Sequence, residues 1–152
     1  MTNEPFHQTG VCMCGAVRFG TTADPARVIH CHCEDCRRHT GAPMATLPVY
    51  SADQVVFSGQ ARRLYRSSEN AQRAFCPTCG TSITFEADLR GYGSVCALHI
   101  SAFDDPETLR PTHHSYFAER ISWMDLADDL PRYKRLVVDG ELMHRGPATD
   151  AD

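Results

Sequence analysis

The sequence predicts a mostly β, single-domain protein of short strands, pinned together by metal. Three observations carry this. Apolar and polar residues alternate with period two in many short segments. Gly, Pro, Asp and Asn interrupt the chain every ten residues or so. Seven of the eight cysteines fall into tight groups, at 12 and 14, at 31, 33 and 36, and at 76 and 79.

The bulk composition narrows the classes. A chain of 152 residues is long enough for one real hydrophobic core. Its 42% hydrophobic and 22% charged content is that of an ordinary globular protein. No apolar run reaches the length of a membrane span, and "MTNEPFHQTG" has neither the basic start nor the apolar stretch of a secretory leader. We therefore expect a cytoplasmic protein with no membrane partner. The formal charge of −4 argues against nucleic acid as a partner, because binders of phosphate are usually basic. In a reducing compartment, clustered cysteines point to metal or catalysis rather than to disulfides.

The elements follow in order. "GVCMCGAVRFG" (10–20) alternates Val11, Met13, Val17 and Phe19 against Cys12, Cys14 and Arg18, which predicts a strand. "RVIHCHC" (27–33) is extended, and "EDCRRHTG" turns as one helical turn ended by Gly41. "MATLPVY" (44–50) is a strand whose proline suggests an edge or a bulge. After the turn "SADQ" come short strands at 55–59, 62–67, 72–76 and 81–87, then "GSVCALHIS" (93–101). "FDDPETLRP" is a loop or short helical turn, "HHSYFAE" (113–119) a strand, and "SWMDLADDL" (122–130) a short helical piece. One domain spans 1–152, with its core at about 8–135 and a loose polar tail from about 140 to 152.

Two of the cysteine groups make a closed metal site. "FCPTCGT" (75–81) has knuckle spacing: cysteines at i and i+3 of a tight turn aim both sulfurs at one ion, and Gly80 lets the backbone leave with a positive φ. A knuckle supplies two ligands, and Cys12 and Cys14 supply the other two. On a strand, residues i and i+2 share a face with Cα atoms roughly 6.5 Å apart. Such a site closes a loop of about 60 residues. Four buried thiols without metal, or a CxxC redox pair, are the alternatives; the paired spacing and the lack of a βαβ context disfavour them.

The third group is a compact set of three. Cys31 and Cys33 share a face of an extended segment, and Cys36 follows at knuckle spacing. Three protein ligands plus an exchangeable position is the pattern of catalytic zinc. A histidine can also close such a site. His39 lies three residues after Cys36, and His99 sits on a later strand. His30 and His32 alternate with the cysteines and should face the other way. Both readings stay open from the sequence. Arg37 and Arg38 follow the third cysteine and can hold a substrate carboxylate, or simply belong to a solvated turn. Cys96, Tyr116 and Trp123 read best as core, although the two aromatics can also line a pocket. His7, His113, His114 and His144 read as surface or core groups.

"GVCMCGAVRF", "CHCEDCRRHTGAP", "FCPTCGTSITF" and "DDPETLRP" together resemble the glutathione-dependent formaldehyde-activating enzymes, a family that includes the centromere protein V-like proteins. The resemblance covers roughly residues 8 to 135, and all seven cysteines of its pattern are present. It implies a zinc-built fold of the β-tent type with two zinc ions per chain. It implies a structural zinc on Cys12, Cys14, Cys76 and Cys79, and a second on a catalytic set, Cys31, Cys33 and Cys36. The activity it implies is a carbon–sulfur lyase or synthase reaction that joins formaldehyde to glutathione as S-hydroxymethylglutathione. The thiol of glutathione, a small-molecule partner, would complete the second zinc. The competing expectation is a zinc-stabilised binding module whose second site is structural or senses thiols.

Overall fold

The structure, a computed structural model, describes residues 6–147. The first five residues of the stretch read as lacking a leader, and the last five of the expected tail, lie outside the described residues. Twelve strands follow one another: β1 (Gln8–Val11), β2 (Val17–Thr21), β3 (Arg27–Cys31), β4 (Ala45–Ser51), β5 (Val55–Gly59), β6 (Arg63–Ser68), β7 (Ala71–Phe75), β8 (Ser82–Leu89), β9 (Gly93–Leu98), β10 (His113–Ser115), β11 (Pro131–Tyr133) and β12 (Leu142–Arg145). The α-helix among the described residues, α1, is Glu34–Thr40. The mostly β expectation therefore holds. The chain divides into two compact units. One runs to Arg27 and resumes over Pro48–Arg110. The other takes Val28–Leu47 and the described residues from Pro111.

In the first unit, β1, β2 and β5 form an antiparallel three-stranded sheet with β2 in the middle. β2 shows why: Val17 and Phe19 point inward and Arg18 outward, the alternation a half-buried strand requires. Phe19 meets Phe103 edge-on, with ring centroids 5.0 Å apart. A second antiparallel run pairs β4, β9, β8, β7 and β6 in that order. Its centre is Ile83, Val95, Cys96 and Leu98, all buried. Pro48 stands just ahead of the first β4–β9 pair, Val49 with Ala97, so its missing N–H costs that ladder nothing.

A polar network lies on this run. Glu86 pairs with Arg62 and accepts from Gln72 Nε2 at 2.8 Å and from Thr84 Oγ1 at 2.7 Å. Arg62 in turn stacks on the Phe57 ring, 3.5 Å from its centroid. Burial pushes the Glu86 carboxyl up, but bonds from Thr84, Gln72 and Arg62 outweigh it and hold the group below the usual range. A carboxylate with a lowered folded-state pKa stabilises above its unfolded pKa, and that contribution fades as pH falls through the folded value. Glu86→Gln should therefore lower stability at pH 7 by about 1–2 kcal/mol. Urea unfolding of both proteins should show the gap narrowing below about pH 5. A gap that stays constant across that range would mean the carboxylate charge is not what stabilises.

The second unit carries a short sheet in the order β12, β11, β10, β3. β10 runs parallel to both β3 and β11, and β11 runs antiparallel to β12. Val28, Ile29, Leu47 and Phe117 give its apolar core, but much of the interior is polar: His30, His32, His113, His114 and Arg132 are all buried.

Three expectations are corrected here. Residues 122–130 form turns and bends, not a helix. Asp125 accepts from Leu126 N–H at 2.9 Å and Asp128 from Leu130 N–H at 3.0 Å. Such side-chain-to-backbone bonds compete with helical ones. Trp123 is 75% exposed, so it is neither core nor a pocket wall. The start of the expected loose tail is strand β12, because Leu142, His144 and Arg145 pair with β11.

Candidate metal centres

The first ligand set is built from two hairpin turns, both within the first unit. Cys12 and Cys14 do not lie on a continuous strand as the alternation suggested. They follow β1 in the turn to β2. Cys12 N–H donates to Val17 O at 3.0 Å, and Gly15 N–H to Cys12 O at 2.9 Å. The facing turn joins β7 to β8. There Gly80 N–H donates to Cys76 O, and Cys76 N–H to Thr81 O, both at 2.9 Å. Each turn leaves through a glycine of positive φ, Gly15 at 81° and Gly80 at 76°. The Cys-Gly dipeptide that both turns share is the signal that would have marked Cys12–Gly15 as a turn. Met13 N–H donates to Thr81 Oγ1 at 3.1 Å and ties one turn to the other.

All four sulfurs lie within 4.8 Å of one another. Cys12 and Cys14 Sγ are 3.5 Å apart, Cys14 and Cys76 Sγ 3.7 Å. Tetrahedral zinc with Zn–S of about 2.3 Å places its sulfurs about 3.8 Å apart, so the set fits that ion. The turns also offer donors to the thiolates. Val17 N–H points at Cys12 Sγ at 3.2 Å, and hydrogen bonds from the Thr81 hydroxyl and N–H pull the Cys79 thiol down to about 5.

The second set lies within the second unit, on one segment. Cys31 ends β3, Cys33 caps α1, and Cys36 sits in its first turn. The Cys33 sulfur accepts from Cys36 N–H at 3.4 Å and lies 3.4 Å from Cys31 Sγ. The ligand atoms that gather within 4.8 Å here are the three sulfurs and nothing else among the described residues. Neither His39 nor His99 joins them. His30 and His32 turn away as the alternation required, to Thr46 and His114. Crowding by Cys33 and Cys36, then burial, push the Cys31 thiol far up. Three thiols this close cannot all ionise without a cation between them, so the donor set suits a metal.

Arg37 and Arg38 stand on α1 beside Cys36. Arg37 Nη1 donates to Glu119 O at 2.6 Å and His32 O at 3.3 Å. Arg38 is exposed and pairs with Glu34 one turn back at 2.5 Å. Tyr116 is half-buried and is the one non-glycine of positive φ among the described residues, at 55°. Burial, then the charge on Cys31 and Cys33, push its phenol up. Cys96 is core, as expected; burial raises its thiol to about 12.

Sequence reasoning missed the chain of groups behind the second set. His32 Nε2 and His114 Nδ1 are 2.8 Å apart. His114 Nε2 reaches Asp128 at 3.2 Å. Arg132, fully buried, bonds Asp128 at 3.0 Å and Asp125 at 2.9 Å. At the extremes, His32 and Arg132, these residues lie 100 positions apart in sequence, and no spacing rule links them.

Comparison with known proteins places the chain in a family. The model of the family described as glutathione-dependent formaldehyde-activating enzyme matches residues 7–119. An uncharacterized lyase of Schizosaccharomyces pombe is 30% identical over 76 residues, 50% of this chain and 55% of that protein. The chain thus spans about half the length of this curated relative. The crystal structure of a Rhodobacter sphaeroides protein superposes with a TM-score of 0.55 at 23% identity, covering 70% of this chain and 99% of that one. That likeness is one of fold.

Proposed function

This chain belongs to the glutathione-dependent formaldehyde-activating enzyme family, and on that premise we propose that it is a zinc-dependent carbon–sulfur enzyme acting on the hydroxymethyl adduct of a small thiol, with glutathione the first candidate. The observation that carries the reading is the second ligand set: three sulfurs from one segment, with no fourth protein donor gathered to them among the described residues. The lyase name of the yeast relative points to the same reaction class. The family match over residues 7–119 runs through parts of both units, which supports treating that stretch as one domain, and we propose that residues 1–152 belong to it.

Cys12, Cys14, Cys76 and Cys79 hold a structural zinc in this reading, and Cys31, Cys33 and Cys36 a catalytic one. Zinc on three thiolates is a weak Lewis acid that favours a fourth, sulfur ligand over hydroxide. The net reaction adds a thiol S–H across the C=O of formaldehyde: a C–S bond forms, the carbonyl π bond breaks, and the oxygen takes the proton. The reverse cleaves the adduct. In this reading Arg37 and Arg38, which follow Cys36 on α1, orient a carboxylate of the thiol's parent molecule; Arg38, paired with Glu34 at the surface, is the better candidate, because Arg37 Nη1 already donates to the carbonyls of Glu119 and His32.

The uncatalysed addition is appreciable, so the test compares proteins at equal concentration. Exchange spectroscopy between free glutathione and its formaldehyde adduct should show acceleration by wild type and none by Cys33→Ser. Equal exchange with both, and no thiol held at the second metal, would instead leave a zinc-stabilised binding module.

A further inference from the structure

The residue between Cys31 and Cys33 is fixed at three points. His32 N–H donates to Ser115 O at 3.0 Å. Its carbonyl accepts from Arg37 at 3.3 Å. Its ring, 1% exposed, meets His114, which is fully buried. The hydrogen-bond directions follow from the end of the chain. The Asp128 carboxylate, as an anion, only accepts, so His114 Nε2 carries the hydrogen. With that hydrogen on Nε2, the neutral His114 ring offers Nδ1 as a bare acceptor, and burial, which lowers its pKa against the opposing pull of Asp128, favours the neutral ring. His32 Nε2 must then donate to it. Asp128 is held by Arg132 and by Leu130 N–H. Leu or Phe would fill this space without the cost of burying imidazoles and a guanidinium. The arrangement therefore asks for a role beyond packing.

We propose that His114, backed by Asp128 and Arg132, is a positioning residue for the three-cysteine segment: it locks His32 so that Cys31 and Cys33 stand in metal-binding geometry before an ion arrives. This rests on the reading of that segment as a zinc site. Cys31 and Cys33 flank His32 directly, so rotation of the His32 peptide moves both sulfurs at once. Ser115, the neighbour of His114, pairs in register with Cys31, so the same short strand holds the segment by backbone and by side chain. Partners that orient a ligand set from behind are typically worth about 10–100-fold in metal affinity.

The test uses the full chain with the four-cysteine site loaded, and measures zinc affinity at the second site by competition with a chromophoric chelator. The cobalt–thiolate absorption of that site is read in parallel. His114→Phe fills the space but removes the acceptor. It should weaken the second site by about 10–100-fold, alter its cobalt spectrum, and leave the first site unchanged. His114→Asn restores an acceptor near the lost Nδ1 and should recover most of the affinity. Should His114→Phe not fold, His32→Leu breaks the same link from the other end and should give the same loss. Unchanged affinity in the breaking variant, or equal loss at both sites with no recovery in His114→Asn, would overturn the proposal. A wild-type protein that takes up no metal at the second site would sink the zinc reading itself, and this inference with it.

Discussion

Cys76→Ser should yield little soluble protein, whereas Cys33→Ser should fold and keep one zinc. The two substitutions are chemically identical, and the expected difference comes from what each ligand ties together. Cys76 belongs to a set drawn from two hairpin turns 62 residues apart, between Cys14 and Cys76. Structural zinc supplies folding free energy of about 10–16 kcal/mol in small domains, of the order of the whole stability of a domain this size. Loss of one thiolate forfeits a large part of it and frees a long loop. Cys33 belongs to a set confined to six consecutive positions, where a metal would close no long loop. Metal content of the soluble fraction, with circular dichroism, checks both outcomes. A chelator titration of wild type should likewise empty the three-cysteine site first, with the fold intact. Simultaneous release of both ions on unfolding would contradict the division of labour between the sites.

Arg132→Leu should destabilise the protein by about 3 kcal/mol or more, a larger loss than from truncating most core aliphatic side chains to the next size down. The guanidinium is fully buried and bonds Asp125, Asp128 and the carbonyls of Leu126 and Leu130, the last two at 2.8 and 2.7 Å. Its removal strands two carboxylates that are largely enclosed and two carbonyls. Asp128 is depressed only on balance. Burial pushes its carboxyl up, and bonds from Leu130 N–H and His114, with the charge on Arg132, overcome that. Urea unfolding at neutral pH gives the loss directly; a shift under about 1 kcal/mol would mean that solvent reaches the aspartates freely.

Much of this was legible in the sequence because the informative features are local. Strand alternation, turn glycines and cysteine spacing are properties of a few adjacent residues, and β5, β7, β8, β9 and α1 lie close to where they were expected. Both cysteine sets gather closely enough to hold a metal ion, as the spacing implied. The misses have a common cause. In Cys12–Gly15, strand and turn readings place the two sulfurs together equally well, and Gly15 decided for the turn. Residues 122–130 have helical composition, but Asp125 and Asp128 are engaged by Arg132 and by neighbouring N–H groups. The His32–His114–Asp128 chain depends on β3 and β10 lying parallel in register, which no window of adjacent residues can reveal.

The spacing of the two ligand sets also orders events on the ribosome. Synthesis proceeds at about 5–20 residues per second, and N-terminal parts emerge first. The segment ending at Cys36 is complete while the first set still lacks Cys76 and Cys79. A nascent chain can therefore capture zinc early, on three flexible thiols with no His114 yet made to steady them. If the positioning role argued above holds, that early ion is held loosely and stays exchangeable with cellular metal carriers until residues 113–132 emerge and dock. On that reading, the ion proposed to stabilise the fold would arrive second, and the ion proposed for the chemistry would settle last.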